Sequence, residues 1–155
     1  MNREIKFRGK RTYDNKWVYG SLIDNKFIFD KDYNNYDMYY DAEYGIIDGR
    51  LLEVDSKTIG QYTNLKDKNG VEVYEGDIVR YHHKTFFKKK GEKIYDFKNE
   101  KCYVVWDIED ACFCLSKSKD KVTDKTYTDL LCMMENEYME IIGNIYDSEV
   151  SKWIV

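Results

Sequence analysis

The sequence predicts a mainly β fold, in which an N-terminal antiparallel β-meander is followed by a small SH3-like β-barrel and one or two short helices. Two observations predict the strands: apolar and polar residues alternate with a period of two, and polar turns separate the runs. A third concerns the turns, because the 155 residues include no proline and leave turns to glycine, asparagine and aspartate. A chain of this length forms one core, so we expect a single domain over residues 1–155 with inserts at about 30–48 and 82–101.

The N-terminal meander is predicted from three alternating runs joined by short polar turns. The runs cover residues 5–8, 17–23 and 26–29, and the turns fall at residues 13–16 and 24–25. Each turn is short enough to join antiparallel neighbours, so the three runs are expected to form one small sheet.

The barrel is predicted from residue 51 onward. Asp55 or Ser56 is positioned to cap a short turn. Asn69-Gly70 favours a tight hairpin, because both residues tolerate positive φ angles. A glycine at position 76 precedes an alternating run, as is common where a barrel strand bends. Further strands are expected at residues 102–107, 111–115 and 140–146.

Two helical signals lie in the C-terminal part of the chain. Thr128 or Asp129 is expected to cap a helix over residues 128–138, and residues 147–153 suit a closing helical turn. The first of these has apolar residues at approximately i, i+3, i+4 and i+8, namely Leu130, Met133, Met134 and Tyr138.

The predicted insert at residues 30–48 is acidic and rich in tyrosine. Its tyrosines are spaced i, i+3, i+7 and i+11 among carboxylates, which predicts a helix with a tyrosine face. Such a face packs on its own sheet, or binds a protein, or imitates a nucleic-acid backbone. The residues concerned are Tyr33, Tyr36, Tyr40, Tyr44, Asp37 and Asp41.

A basic stretch, from His82 to Lys93, is expected to interrupt the barrel strands. Aromatic rings interleaved with cations suit single-stranded nucleic acid, although lysines also keep a mobile hairpin tip in solution. The residues concerned are Lys84, Phe86, Phe87, Lys88, Lys89 and Lys90.

The overall charge and hydropathy exclude some classes of protein. The formal net charge of −4 does not provide the strongly basic field of a dedicated nucleic-acid binder. No run approaches the ~20 apolar residues of a membrane helix. Residues 1–11 alternate charged and apolar side chains where a signal peptide has an apolar run, so a cytoplasmic protein is expected.

Cysteine and histidine do not predict a metal site or a catalytic nucleophile. The spacing of the four cysteines matches no recognised zinc set, with or without His82-His83, so small buried hydrophobes are the expected role. Neither histidine lies in a motif that pairs it with serine or cysteine. The cysteines are Cys102, Cys112, Cys114 and Cys132.

Carboxylates at Asp107, Glu109 and Asp110 are the remaining candidate for chemistry. Alternate carboxylates on a strand can hold a divalent ion for phosphodiester cleavage. A nuclease also needs a recognisable array of lysine or histidine nearby, and none is evident, so solvated turn residues are the preferred interpretation. We therefore expect no catalytic residue, no metal and no cofactor.

Several strings along the whole chain resemble the YopX proteins of bacteriophages and of prophages in Gram-positive bacteria. The matching strings are residues 3–8, 17–22, 54–70, 74–79, 104–107 and 141–146. The resemblance implies a β-rich phage accessory fold without an established activity, located in the host bacterial cytoplasm. It transfers no catalytic motif, and the two inserts match no string of the family.

The function expected from the sequence is therefore that of a non-enzymatic accessory module that acts through protein contacts. The opposite charges of the two inserts favour a homo-oligomer, and a host or phage protein is a further possible partner. The alternatives are a nucleic-acid-binding regulator, a counter-defence inhibitor of a host immune protein and, last, a metal-dependent hydrolase.

Overall fold

The computed structural model describes residues 3–34, 38–41, 43–89, 92–119 and 139–147. The chain divides into two compact units, residues 1–62 and residues 63–155. The single domain expected over residues 1–155 stays a prediction. Among the described residues, no helix has the length and apolar character needed to cross a membrane.

The first unit is an antiparallel sheet with the strand order β6-β3-β2-β1-β7. A single 3₁₀ turn at Ser56–Thr58 precedes β7, and Asp55 caps it by accepting a hydrogen bond from the backbone N–H of Lys57. The strands are β1 (Phe7–Lys10), β2 (Trp17–Ile23), β3 (Phe27–Phe29), β4 (Met38–Asp41), β5 (Gly45–Asp48), β6 (Leu51–Glu53) and β7 (Gly60–Lys66).

This sheet curls because the chain after β6 returns to the end of β1. Arg11 and Val54 form an antiparallel bridge, and the backbone N–H of Asp55 donates to the carbonyl oxygen of Lys10 at 2.8 Å. Alternate residues of the strands meet inside the curl. The buried cluster consists of Val18, Ile28, Leu52 and Val54.

The second unit contains the end of β7, the short partner strand β8, and a four-stranded antiparallel sheet with the order β11-β10-β9-β12. The backbone N–H of Lys68 donates to the carbonyl oxygen of Met139 at 2.9 Å, which joins the β7–β8 hairpin to the edge strand β12. The new strands are β8 (Glu72–Tyr74), β9 (Asp77–Lys89), β10 (Glu92–Asp107), β11 (Cys112–Ser116) and β12 (Met139–Asn144).

The core of the second unit lies between this hairpin and the four-stranded sheet. Val73 from β8 is completely buried among residues of all four strands, as expected for a small barrel-like core. The cluster consists of Val73, Val79, Cys102, Val104, Phe113, Leu115 and Met139. The mainly β prediction is therefore confirmed, whereas the predicted helices at 128–138 and 147–153 lie in positions that are largely outside the described residues.

The prediction of a tyrosine-faced helix in the acidic insert is wrong. Met38–Asp41 and Gly45–Asp48 form a separate antiparallel hairpin, β4–β5, with Tyr39 opposite Ile47 and Tyr40 opposite Ile46. Aromatic and β-branched residues are strong strand formers, and their cross-strand pairs stabilise a hairpin. The strand propensity of these residues therefore outweighs the helical spacing of the tyrosines.

The basic stretch does not interrupt the second sheet, contrary to the sequence prediction. Strands β9 and β10 continue through it and stay paired from Tyr103 opposite Ile78 out to Glu92 opposite Lys89. Threonine, isoleucine and aromatic residues recur between the lysines, so the segment retains the composition of a strand.

Candidate interaction surfaces

The acidic hairpin, residues 38–48, is held at its turn by Tyr44. The Tyr44 ring makes an edge-to-face contact with Phe27, with 5.1 Å between ring centroids, and its hydroxyl donates to Asp24 Oδ2 at 2.7 Å. Lys26 Nζ lies 4.9 Å from the centroid of the same ring and 3.2 Å from Glu43 Oε2. Tyr44 therefore contributes to anchoring the hairpin within its own unit.

The end of the hairpin is anchored through Asp48. Its two carboxylate oxygens accept hydrogen bonds from Arg50 Nε at 3.0 Å and Arg50 Nη2 at 2.7 Å. The side-chain bonds from Arg50, followed by the bond from its backbone N–H, lower the pKa of Asp48 to about 2. The guanidinium lies 5.0 Å from the ring centroid of Phe29, so the hairpin is fixed at both the turn and the last strand.

Met38 and Tyr40 are the most exposed large apolar side chains in the described part of the acidic hairpin. These residues occupy alternate positions of β4 and are 63% and 77% exposed, so they share the outer face. Met and Tyr are enriched in protein interfaces relative to the rest of a protein surface. The sequence analysis named Tyr40 as a candidate contact residue but missed Met38. The available signal was the spacing of two residues between them, which places both side chains on one face of a strand.

Tyr33 is placed elsewhere in the first unit. Its hydroxyl accepts a hydrogen bond from Nη1 of Arg11 at 2.9 Å, and its ring packs against the buried cluster. The hydrogen bond with the Tyr13 hydroxyl, followed by the bond from Arg11, lowers the pKa of Tyr33. Tyr36 and Asp37 lie outside the described residues, and Asp41 is opposite Gly45 in the hairpin.

The basic stretch forms a two-stranded ribbon, which we call the basic ribbon and define as residues 82–89 and 92–99. In the described part of the second unit, β12 pairs with β9 only as far as Tyr81, and β11 pairs with β10 only from Tyr103 onward. Eight cross-strand pairs therefore extend past the four-stranded sheet, over roughly 25 Å. The predicted residues Lys84, Phe86, Phe87, Lys88 and Lys89 lie on this ribbon, whereas Lys90 is outside the described residues.

The two projections have opposite charge. The acidic hairpin contains three acidic residues and no lysine or arginine, whereas the basic ribbon contains five lysines and two acidic residues. Oppositely charged surfaces attract one another and set orientation on contact. The acidic hairpin and the basic ribbon are therefore complementary in sign.

Cys102 and Cys114 lie on opposite faces of the second sheet. Cys102 is in the core cluster with Val104, whereas Cys114 is opposite Val105, the next residue along β10. Burial, together with nearby carboxylates, raises the pKa of both thiols to about 11. Cys132 lies outside the described residues, which contain no group of three or more His, Cys, Asp or Glu arranged to hold a metal ion.

Asp107 has a role within the β10–β11 turn. Its Oδ1 atom accepts hydrogen bonds from the backbone N–H groups of Glu109 at 2.9 Å and Asp110 at 3.5 Å. An aspartate that binds the backbone two residues ahead is a common turn stabiliser. This geometry agrees with the interpretation of Asp107 as a turn residue. The expectation that all three carboxylates are solvated is wrong for Asp107, which is only 3% exposed, whereas Glu109 and Asp110 are exposed.

A ladder of cations and aromatic rings on the first unit was missed in the sequence. Arg8 and Lys10 lie over the Trp17 ring, 4.8 and 5.2 Å from its centroid, and Lys6 lies 5.2 Å from the centroid of Tyr62. The signal was the alternation of cations along β1 opposite an aromatic strand. Arg8 is only 6% exposed, so the ladder serves mainly to stabilise the unit.

Two of the strings that resemble YopX proteins, residues 74–79 and 141–146, are joined through Asp77. In residues 74–79, the buried carboxylate of Asp77 accepts hydrogen bonds from the backbone N–H of Tyr74 at 2.8 Å and from Asn144 Nδ2 at 3.4 Å. Gly76 between them has a φ of 84°, which favours glycine. These residues therefore stabilise the turn that leads into β9.

Comparison with known proteins identifies a similar fold and the family of the chain. The crystal structure of protein EF1440 from Enterococcus faecalis matches with 23% sequence identity and a TM-score of 0.50, and the match covers 93% of this chain and 94% of that one. At that identity the likeness concerns the fold alone. No curated protein matches this chain. The family model described as YopX protein matches residues 6–150. The chain therefore belongs to the YopX family, as its sequence strings predicted.

Proposed function

We propose that this YopX protein is a phage or prophage accessory protein without enzymatic activity, and that it self-associates through the acidic hairpin and the basic ribbon. The observation that supports this most is the exposure of Met38 and Tyr40 on a hairpin that is anchored at both ends. Exposed apolar groups on an anchored element contribute to binding, because little conformational entropy is lost when a partner covers them.

Apolar burial supplies most of the affinity in this account. Burying a side chain the size of methionine contributes about 1.5–3 kcal/mol, whereas an exposed ion pair contributes about 0.2–1 kcal/mol. Charge between the hairpin of one copy and the ribbon of another therefore sets orientation and association rate, and the aromatic and methionine side chains hold the copies together.

Size-exclusion chromatography with light scattering, over a series of protein concentrations and at low and high salt, tests the proposal. We expect a discrete oligomer, whose mass is a whole multiple of the 18.7 kDa chain and whose dissociation constant rises with salt. A species of 18.7 kDa at every concentration overturns the proposal.

A matched pair of variants identifies the surface. Tyr40→Ser removes a ring that is 77% exposed on the acidic hairpin, and Ile108→Ser removes an apolar side chain that is 85% exposed on the β10–β11 turn. We expect Tyr40→Ser to weaken association by about tenfold or more, which corresponds to about 1.4 kcal/mol, and Ile108→Ser to leave it unchanged. Equal effects of the two variants contradict the role of the hairpin.

Nucleic-acid binding is a second candidate function, favoured by the lysines and aromatic residues of the basic ribbon. Stacking on aromatic rings and contact with phosphates would give an affinity that falls steeply with salt. Fluorescence anisotropy with a labelled single-stranded oligonucleotide measures it. Tight binding at low salt, with nucleic acid co-purifying with a monomer, favours this candidate over self-association.

A further inference from the structure

The strand register divides the basic ribbon into two faces of different chemistry. Residues of an antiparallel strand alternate between faces, and directly opposite residues share a face. Three consecutive pairs on one face are Lys84 with Phe97, Phe86 with Tyr95, and Lys88 with Lys93. The pairs between them, on the other face, are Thr85 with Asp96, Phe87 with Ile94, and Lys89 with Glu92.

We call these the lysine face and the mixed face. The lysine face contains three lysines, three aromatic residues and no acidic residue, whereas the mixed face contains both acidic residues of the ribbon, Asp96 and Glu92. The segment as a whole is only moderately basic. Its register nevertheless places three lysines and no acidic residue on one side.

The pair of Lys88 and Lys93 distinguishes the lysine face from the mixed face. Like charges directly opposite one another destabilise a strand pair, and a two-stranded ribbon is marginally stable by itself. On the mixed face, the neighbouring pair of Lys89 and Glu92 has opposite charges. The ribbon therefore has a repulsive pair on one face only, and an acidic partner on that face would relieve it.

We propose that the lysine face binds the acidic hairpin of a second copy of this chain. This inference rests on the proposed self-association and names the face of the ribbon that is used. The occupant is indicated by its charge and by its exposed side chains, because the acidic hairpin has three acidic residues, has no lysine or arginine, and presents Met38 and Tyr40 outward. Lysines beside aromatic residues suit tyrosine as well as carboxylate, through cation–π contact.

Two charge-reversal variants with the same change in net charge distinguish the faces. Lys88→Glu with Lys93→Glu alters the lysine face, whereas Lys89→Glu with Lys98→Glu alters the mixed face, where Lys98 is opposite His83. Light scattering measures association, and circular dichroism establishes that each variant is folded. We expect the lysine-face variant to weaken association by about tenfold or more, and the mixed-face variant by less than about threefold.

The adjacent residues Phe86 and Phe87 allow a second comparison of the two faces, in which the net charge is unchanged. Phe86→Ser removes a ring from the lysine face, and Phe87→Ser removes the neighbouring ring from the mixed face. Weaker association of Phe86→Ser alone supports the inference, whereas an effect of Phe87→Ser that is as large or larger overturns it.

The outcomes separate this inference from the function on which it rests. A monomeric wild-type protein removes the basis of both. A wild-type oligomer that both charge variants weaken equally, or that neither weakens, overturns the assignment of the face and leaves self-association intact. A lysine-face variant that loses binding to a labelled oligonucleotide but associates normally assigns the face to nucleic acid and overturns the inference.

Discussion

The carboxylate of Asp67 accepts a hydrogen bond from the backbone N–H of Ile141, with 3.1 Å between Ile141 N and Asp67 Oδ2. The other oxygen, Oδ1, accepts from the backbone N–H groups of Asn69 at 2.8 Å and Val71 at 2.9 Å. The buried Asp67 side chain therefore stabilises the β7–β8 turn and connects it to β12. Burial alone would raise the pKa of Asp67, but the backbone N–H groups together outweigh it and lower the pKa.

Replacement of Asp67 by asparagine is expected to destabilise the second unit. The amide has one acceptor oxygen where the carboxylate has two, and its NH₂ group would face a backbone donor. Hydrogen bonds to a charged group contribute about 1.5–3 kcal/mol, so we expect a loss of about 2–3 kcal/mol in the free energy of unfolding, measured with urea. Asp55→Asn is the control, because Asp55 caps an exposed turn where asparagine is equally suitable. Equal stabilities of the two variants would contradict this role.

The lowered pKa of Asp67 also predicts a dependence of stability on acid. The unfolded chain binds this proton more readily than the folded chain, so the contribution is complete above the ordinary aspartate pKa of about 3.9 and is lost as the pH falls toward the folded value. Urea unfolding at pH 7, 5 and 3 should show a smaller acid loss in Asp67→Asn than in the wild type. Parallel pH profiles would count against the account.

Gly20 is expected to tolerate no side chain. A Cβ atom there would lie 2.0 Å from the carbonyl oxygen of Phe29, which is backbone and cannot move aside. We expect Gly20→Ala to cost more than about 3 kcal/mol in stability, or to prevent folding. The comparison is Gly70→Ala, where a Cβ has open space and only the φ of 80° is unfavourable, at about 1–2 kcal/mol. Thermal unfolding of both variants measures the difference, and a mild effect at Gly20 would refute the close approach.

The buried cysteines are expected to be unreactive in the folded protein. With a pKa of about 11, Cys102 and Cys114 have little thiolate near neutral pH, and the thiolate is the reactive form. In a Cys132→Ser background, alkylation at pH 8 followed by peptide mass spectrometry should modify the half-buried Cys112 first. Labelling of Cys102 at the rate of Cys112 would show that the core is not packed as described.

The sequence predicted those elements whose local chemistry agrees with their packing. The period-two runs became β1, β2 and β3, and Asn69-Gly70 became a turn with Gly70 at positive φ. The burial of two acidic residues was not predicted, because Asp67 and Asp77 resemble ordinary surface turn residues in the sequence. Their partners, Ile141 and Asn144, are about 70 residues away, and no local pattern reveals such a pairing.

For the candidate surfaces, too, local features could be predicted from the sequence and features that depend on strand pairing could not. The charge and aromatic content of both inserts could be recognised in the sequence, but the conformation of the acidic insert was predicted wrongly because tyrosine spacing suited a helix. Two of its tyrosines, Tyr33 and Tyr44, pack on their own unit, and the exposed position of Tyr40 depends on a hairpin register. The separation of the ribbon into two faces likewise requires the pairing of β9 with β10.

Disulfide cross-linking between two differently labelled chains tests most directly whether the acidic hairpin contacts the lysine face. One chain has Glu43→Cys on the acidic hairpin, the other has Lys84→Cys on the lysine face, and both have Cys112→Ser and Cys132→Ser so that only unreactive native thiols remain and no aromatic side chain is lost. After mild oxidation of the mixture, we expect a heterodimer cross-linked between positions 43 and 84, and little product when Thr85→Cys on the mixed face replaces Lys84→Cys. Equal yields from the two mixtures, or no heterodimer from either, would contradict the account.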